Sequence, residues 1–157
     1  MIRLTKEADY GIMLLGHIAL RPTGQIHTAR EVAELSGLPL PMVSKILGSL
    51  VRSEILTGHR GVSGGYSLDA DPGTITVAQV IRAIEGPINM VQCGAEPGAC
   101  EHEPTCPTRI NWSRINQQIE QALEQVPISE MLVHETNTHL LEVYSATDEE
   151  SPITEQQ

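Results

Sequence analysis

The stretch from Thr28 to Leu68, TAREVAELSGLPLPMVSKILGSLVRSEILTGHRGVSGGYSL, decides the fold. It opens with a capping box, in which the Thr28 hydroxyl and the Glu31 carboxylate satisfy each other's backbone amides. The short helix that follows is predicted to end at Gly37, and a second helix is expected directly after it, with Pro41 in its first turn. The two helices share a predicted core of apolar residues, namely Val32, Ala33, Leu35, Val43, Ile46 and Leu47. Helix, glycine turn and helix form a helix-turn-helix pattern.

A glycine-rich hairpin follows the second helix. The strand-like runs 55–57 and 66–68 flank it, and its tip is expected to carry His59 and Arg60. A helix-turn-helix followed by such a hairpin is the layout of a winged helix. The predicted fold class is therefore mainly α with a small β-hairpin wing, a winged helix-turn-helix domain extended by a long dimerisation helix.

Seven residues on this unit are candidates for contact with double-stranded DNA: Thr28, Pro41, Met42, Ser44, Lys45, His59 and Arg60. We expect Lys45 and Arg60 to contact phosphate or guanine, and Ser44 to bond to base edges. Pro41 and Met42 offer apolar contact to thymine methyl groups, and the Thr28 amide lies at a helix N-terminus that favours phosphate. A single surface cation is usually only solvated, but the set on one winged helix favours DNA.

Helices are predicted on both sides of this unit. Residues 5–20 carry an apolar stripe of helical spacing, and a second capping box at residues 76–79 begins a helix that Gly86 and Pro87 end. These helices complete a winged-helix domain over residues 1–87.

The three cysteines, Cys93, Cys100 and Cys106, fall together in residues 88–107, a segment predicted to be a loop. An odd, clustered set is poor material for a disulfide framework, and it indicates a reducing cytoplasm in which thiols bind metal or respond to redox state. The spacing lacks the Cys-x-x-Cys pairs typical of structural zinc. An iron-sulfur cluster is therefore favoured, with zinc or a thiol redox switch as alternatives.

Beyond the cysteines, apolar residues recur at steps of three and four and predict a helix that packs against a partner helix. They are Trp112, Ile115, Ile119, Ala122 and Val126. A seam of this kind indicates a homodimer. Dimerisation helix and helical extension are expected over 108–144, and residues 145–157 are predicted to be a disordered acidic tail.

The formal charge of −10 is unevenly distributed. Residues 1–70 hold seven basic and six acidic residues, and the remainder holds three and fourteen. A near-neutral DNA-binding unit predicts weak nonspecific binding and specificity that depends on dimerisation. Neither a membrane span nor a signal peptide is predicted, so a cytoplasmic location is expected. An enzyme is not expected, because the Gly-x-Ser-x-Gly match at 61–65 lacks its strand-turn-helix context.

Several motifs together carry a resemblance to a known family: Arg3-Leu4-Thr5, Asp9-Tyr10, Gly61-Val62-Ser63-Gly64-Gly65-Tyr66-Ser67-Leu68 and Ile84-Glu85-Gly86 before the cysteines. Over roughly residues 1–132 the chain resembles the Rrf-type, IscR-like family of bacterial winged-helix regulators. Glu85-Gly86-Pro87-Ile88, the cysteines and Asn111-Trp112-Ser113-Arg114-Ile115-Asn116 look most like the regulator of the SUF iron-sulfur cluster assembly system.

The resemblance implies a dimeric repressor of iron-sulfur assembly genes that reads a palindromic operator and binds a cluster through the three cysteines. A [2Fe–2S] cluster is favoured over a [4Fe–4S] cluster. The family's histidine ligand three residues after the last cysteine is replaced by Arg109, so the fourth ligand is open. His102 and Asp9, which matches a first-helix ligand position of some relatives, are the main candidates, with Glu101 and Glu103 as further options. A nitric oxide or redox-responsive repressor, or a zinc-binding regulator, is the alternative.

Overall fold

The computed structural model describes residues 4–62, 64–91, 98 and 100–132. Its α-helices are α1 (Lys6–Ala19), α2 (Ala29–Ser36), α3 (Leu40–Arg52), α4 (Val77–Glu85), α5 (Arg109–Glu124) and α6 (Ile128–Met131). Two short strands, β1 (Thr57–His59) and β2 (Gly65–Ser67), pair antiparallel between α3 and α4. Short 3-10 helices span Pro72–Thr74 and Glu103–Thr105. The predicted class, mainly helical with a β-hairpin wing, is confirmed.

One core holds α1, α3 and α4 together with the start of α2. Its fully buried side chains include Leu14 and Leu15 of α1, Ile46 and Leu47 of α3, and Val80 of α4. Burial of such side chains contributes roughly 1.5–3 kcal/mol each relative to an exposed position. The prediction that Leu35 belongs to the core is wrong, because its side chain is 47% exposed at the end of α2.

The local signals at the helix ends are confirmed. Thr28 and Thr76 each form a complete capping box, with Glu31 and Gln79 as the returning side chains. Gly37 closes α2 in the left-handed conformation at φ 70°, which glycine adopts without steric cost. These caps fix where the helix-turn-helix begins and turns.

The strands of the wing lie closer to its tip than the sequence predicts. Ile55 and Leu56 are not in a strand, because their amides donate to the Leu50 carbonyl and close α3. Leu56 is also buried in the core. The wing therefore starts at Thr57, which pairs with Ser67.

Gly65 anchors the wing to the segment before α2. Its neighbour Tyr66 exchanges two backbone hydrogen bonds with His27, of 2.8 and 2.9 Å. A Cβ at position 65 would lie 2.8 Å from the His27 carbonyl carbon and closer still to its oxygen. Only glycine allows the two backbones to approach this closely.

Gly65→Ala is therefore expected to lower stability by about 1–3 kcal/mol, because backbone rather than a flexible side chain must move. Gly48→Ala is the matched control, since its Cβ would meet only Arg52 Nη1 at 3.6 Å inside α3. Alanine is favoured over glycine in a helix by about 1 kcal/mol, so the control is expected to raise the melting temperature. Thermal unfolding followed by circular dichroism measures both, and equal melting temperatures would contradict the close approach.

At the other end of the chain, α5 has no fully buried residue, and the chain meets the core at the C-terminal end of α5 and just after it. Ile128 of α6 is fully buried, and its amide donates to the Ile75 carbonyl at 2.7 Å. Leu123 and Val126 pack against the same core. Val126, the last member of the predicted dimer seam, thus packs at least partly against its own chain.

Candidate DNA interface and cysteine segment

A cleft of about 490 Å³ separates the outer side of α3 from the wing. Glycines line much of it, and Arg60 stands exposed at its rim. Val62, next along the tip, is fully exposed. Small residues let a sugar-phosphate backbone approach closely, and a cation at the rim meets its charge. The cleft between α3 and the wing is therefore a candidate for contact with a nucleic-acid backbone.

Lys45 lies exposed on α3, but in the free protein it pairs with a carboxylate of α1. Its Nζ is 2.7 and 2.9 Å from the two Glu7 carboxylate oxygens. The Lys45 side chain is 64% exposed and the Glu7 side chain 43%, and such solvent-exposed pairs are worth only about 0–1 kcal/mol. Lys45 can therefore exchange Glu7 for a phosphate at little cost. Sequence reasoning did not identify Glu7 as its partner.

Of the other predicted contacts on α3, Pro41 is exposed and Ser44 is half-buried. Met42 is also half-buried, and its side chain packs against the core. This departs from the outward orientation that contact with a thymine methyl group requires.

Thr28 is exposed at the N-terminus of α2, and its amide is already used. That amide donates to Glu31 Oε2 at 2.7 Å, which corrects the prediction of an amide available to a phosphate. The bond from the Thr28 amide lowers the pKa of the Glu31 carboxyl. The Thr28 hydroxyl accepts from the Glu31 amide and keeps its own proton, which it can donate outward.

His59 is not at the wing tip, as the sequence predicts, but is the last residue of β1. Its Nε2 lies 2.8 Å from Ser67 Oγ, which donates to Asp69 Oδ1 at 2.8 Å. Thr57 donates to the other Asp69 oxygen at 2.6 Å. Hydrogen bonds from Thr57 and then Ser67, together with nearby His59, lower the pKa of Asp69. His59 therefore braces the base of the wing, and Arg60 is left as the cation at the tip.

Two of the three cysteines lie in the described residues. Cys100 and Cys106 are half-buried free thiols on either side of the 3-10 helix Glu103–Thr105, and Cys93 lies outside the described residues. The Cys106 Sγ is 3.3 Å from Thr108 Oγ1. This hydrogen bond, followed by the Thr108 amide and Arg109, lowers the pKa of the Cys106 thiol. A thiolate is the form that binds metal, so Cys106 suits a soft metal or an iron-sulfur cluster.

Between these cysteines, Glu103 is buried, with 8% of its surface exposed. It accepts from the Gly98 amide at 2.6 Å and pairs with Arg109 Nη2 at 2.8 Å. Arg109 stands where the resembled family has a histidine ligand. Here it holds the loop through its ion pair with Glu103. Glu103 is thus engaged with Gly98 and Arg109, and its place among the further options for the fourth ligand stays a prediction.

The remaining candidates for a fourth ligand are exposed. Asp9 lies on α1, and Glu101 and His102 lie just after Cys100. Within residues 4–62, 64–91, 98 and 100–132, no group of three metal-ligating side chains comes together. The two described thiols fit a cluster by their chemistry, and the complete ligand set stays a prediction.

The apolar side chains of α5 form a stripe that its own chain leaves open. Trp112 is 37% and Ile115 39% exposed, Ala122 is exposed and Ile119 is half-buried. A different side of the helix faces α4, where Arg82 pairs with Glu120 at 2.6 Å and with Glu124. Hydrogen bonds to Glu124 and then to Glu120 raise the pKa of Arg82.

Sequence reasoning also missed the contacts of Asn116 with the start of the cysteine segment. Its side chain bonds to Ile88, Asn89 and Met90. Only the presence of Asn116 in a family-like motif pointed toward it, because side-chain bonds between distant residues leave no periodic signal.

Helix-turn-helix, braced wing and open cleft define the chain as a winged helix-turn-helix DNA-binding protein. The family model Rrf2, described as an iron-dependent transcriptional regulator, matches residues 4–134. The chain belongs to the Rrf2 family of transcriptional regulators. No described helix is long and apolar enough to cross a membrane.

Known proteins similar to the chain are regulators of the same type. It is 25% identical over 150 residues to the HTH-type transcriptional regulator IscR of Sodalis glossinidius (strain morsitans), covering 96% of this chain and 88% of that one. The structure of CymR, the global cysteine regulator of B. subtilis, shares the fold with a TM-score of 0.63 at 22% identity, over 84% of this chain and 97% of CymR. T. potens IscR has a TM-score of 0.62 at 20% identity, over 99% and 94% of the two chains.

Proposed function

We propose that the chain is a homodimeric repressor of iron-sulfur cluster assembly genes, of the SUF type, that senses a cluster bound by Cys93, Cys100 and Cys106. The observation that carries the proposal is the juxtaposition along one chain of a DNA-reading unit, a thiol-bearing segment and an open apolar helix. The family description, iron-dependent, supports the metal. A bound cluster supplies the sensing chemistry, because its presence depends on iron and sulfide supply.

The chain's own residues supply the rest of the mechanism. Two copies joined along α5 present two α3 helices to half-sites roughly one or two helical turns apart. The cysteine segment is tied to α5 at both ends, so its state can set how the two α3 helices are spaced. A few kcal/mol of differential affinity between the two states is enough to switch repression.

Arg60→Ala is expected to weaken operator binding uniformly across sequences and to reduce the slope of log affinity against log salt by about 2, one phosphate contact per half-site. Fluorescence anisotropy at graded salt on a fragment of the chain's own promoter measures it. Arg21→Ala is the control, because this exposed cation does not line the α3–wing cleft. An unchanged slope for Arg60→Ala would show that the wing does not contact phosphate.

A redox or nitric oxide response is the second candidate, favoured by the lowered pKa and partial exposure of Cys106. Anaerobic purification with absorption spectra and metal analysis tests whether the protein binds a cluster. Iron and sulfide in equal amounts support the cluster, and stoichiometric zinc in a colourless protein would contradict it.

Asp9→Ala and His102→Ala, compared for iron content, identify the fourth ligand. A footprint on assembly-gene promoters, with and without cluster, tests the target.

A further inference from the structure

One side chain of α5 holds the start of the cysteine segment. Asn116 Oδ1 accepts from the Met90 amide at 2.7 Å, and its Nδ2 donates to the Ile88 carbonyl at 2.9 Å and to Asn89 Oδ1 at 2.6 Å. The side chain is half-buried between the loop and the helix. Few residue types can both donate and accept at one point, and an asparagine amide does so here.

The position of Asn116 on α5 links this loop to the dimer seam. Trp112 lies one turn before it and Ile119 one turn after it, at i−4 and i+3, so the three side chains are neighbours on the helix surface. The ion pairs of Arg82 with Glu120 and Glu124 hold the following turns of α5 on α4. Asn116 therefore lies on the helix surface between the α4 contact and the seam, and it links both to residues 88–90.

We propose that Asn116 is the positioning residue through which the state of the cysteine segment sets the orientation of α5 in the dimer. The inference rests on the proposed function. Arg109 at the start of α5 ties down the far end of the same segment through Glu103, so the helix is held at both ends of the loop. The Asn116 bonds lie beside the seam residues Trp112 and Ile119, whereas Arg109 lies at the start of α5, and this position singles out Asn116 as the coupling point.

The test compares operator affinity of cluster-loaded and apo protein, using the chain's own promoter fragment, in wild type, Asn116→Ala, Asn116→Asp and Gln121→Ala. Allosteric coupling typically changes affinity about 5–150-fold. Asn116→Ala is expected to bring the loaded-to-apo ratio within about twofold of one, below that range, with iron content unchanged. Gln121 is exposed on a side of α5 away from loop and seam, so its variant is expected to keep the wild-type ratio.

Asn116→Asp keeps the acceptor for the Met90 amide but loses both donors, so an intermediate ratio is expected. Hydrogen exchange at the Met90 amide reports the contact independently: protection is expected to be lost in Asn116→Ala and kept in Asn116→Asp.

The possible results distinguish failure of the coupling role from failure of the proposed function. A wild-type ratio near one would contradict the proposed function itself. A wild-type ratio above about 5 that persists in Asn116→Ala, with the Met90 amide unprotected, would overturn the coupling role alone. Loss of iron in Asn116→Ala would also overturn it, because Asn116 would then hold the metal site rather than transmit its state.

Discussion

Ile115→Glu is expected to convert the protein from dimer to monomer and to lower its affinity for the operator by at least roughly 100-fold. Ile115 lies 39% exposed in the middle of the apolar stripe of α5. Helix α5 has no fully buried residue and its own chain leaves the apolar stripe open, so we expect the stripe of a second copy to cover it. A carboxylate placed in such a seam is desolvated without a partner.

The loss of affinity follows from the charge distribution. Residues 1–70 carry seven basic and six acidic residues, and Lys45 is itself paired with Glu7. One unit thus contributes few phosphate contacts, whereas joining two units makes the second contact effectively intramolecular, which is worth about 10²–10⁴ in affinity. With so few cations in one unit, we expect strong operator binding to require two units joined together.

Gln121→Glu is the matched control for this prediction. It adds the same charge to the same helix, at an exposed position roughly 140° around α5 from the centre of the stripe at 100° per residue. Analytical ultracentrifugation and gel shifts on the same samples give mass and affinity together. An Ile115→Glu protein that remains dimeric, or a monomer that binds as wild type does, would refute dimerisation through this stripe.

The helices of the winged domain could be predicted from the sequence because their ends are encoded locally. Each capping box, at Thr28 and at Thr76, needs only residues within one turn, and Gly37 needs only its own conformational freedom. The order of elements then leaves little choice but a helix-turn-helix with a wing.

Contacts between distant parts of the chain could not be predicted in this way. The first strand is predicted at 55–57 but lies at 57–59, because Leu56 packs in the core rather than in the wing. His59 is predicted at the tip because its bond to Ser67 depends on a strand register that the sequence does not show. The periodicity of α5 continues to Val126, although Val126 packs on its own domain. A period shows that a face is apolar but not which surface covers it.

The candidate site shows the same contrast between local signals and contacts across the fold. Residue type and clustering sufficed to select the cysteines, but the engagement of Glu103 with Arg109 is a tertiary ion pair without sequence signature. Because Arg109 stands where the resembled family has a histidine ligand, the sequence does not identify the fourth ligand. In the structure, Arg109 constrains the loop through its ion pair with Glu103.

Cys106→Ala is expected to yield a protein that binds iron at least about 100-fold more weakly. Even residues that only hydrogen-bond to metal ligands change metal affinity about 10–100-fold, and loss of a ligand itself should cost at least as much. The surroundings of Cys106 favour the thiolate, because Thr108 and then Arg109 lower its pKa. The measurement is iron and sulfide content after anaerobic reconstitution, with absorbance as a second readout. A Cys106→Ala protein that retains a full cluster would refute this residue as a ligand.

Thr108→Val tests the cause rather than the ligand. Valine keeps the branched shape and removes the hydroxyl 3.3 Å from Cys106 Sγ, and this hydroxyl makes no capping bond to α5. The Cys106 pKa is then expected to rise, so protons compete with metal at higher pH and the midpoint pH of iron loss moves upward. Metal is retained above that midpoint and lost as pH falls through it. A midpoint equal to that of wild type would show that Thr108 does not tune the thiol, even if Cys106 binds the metal.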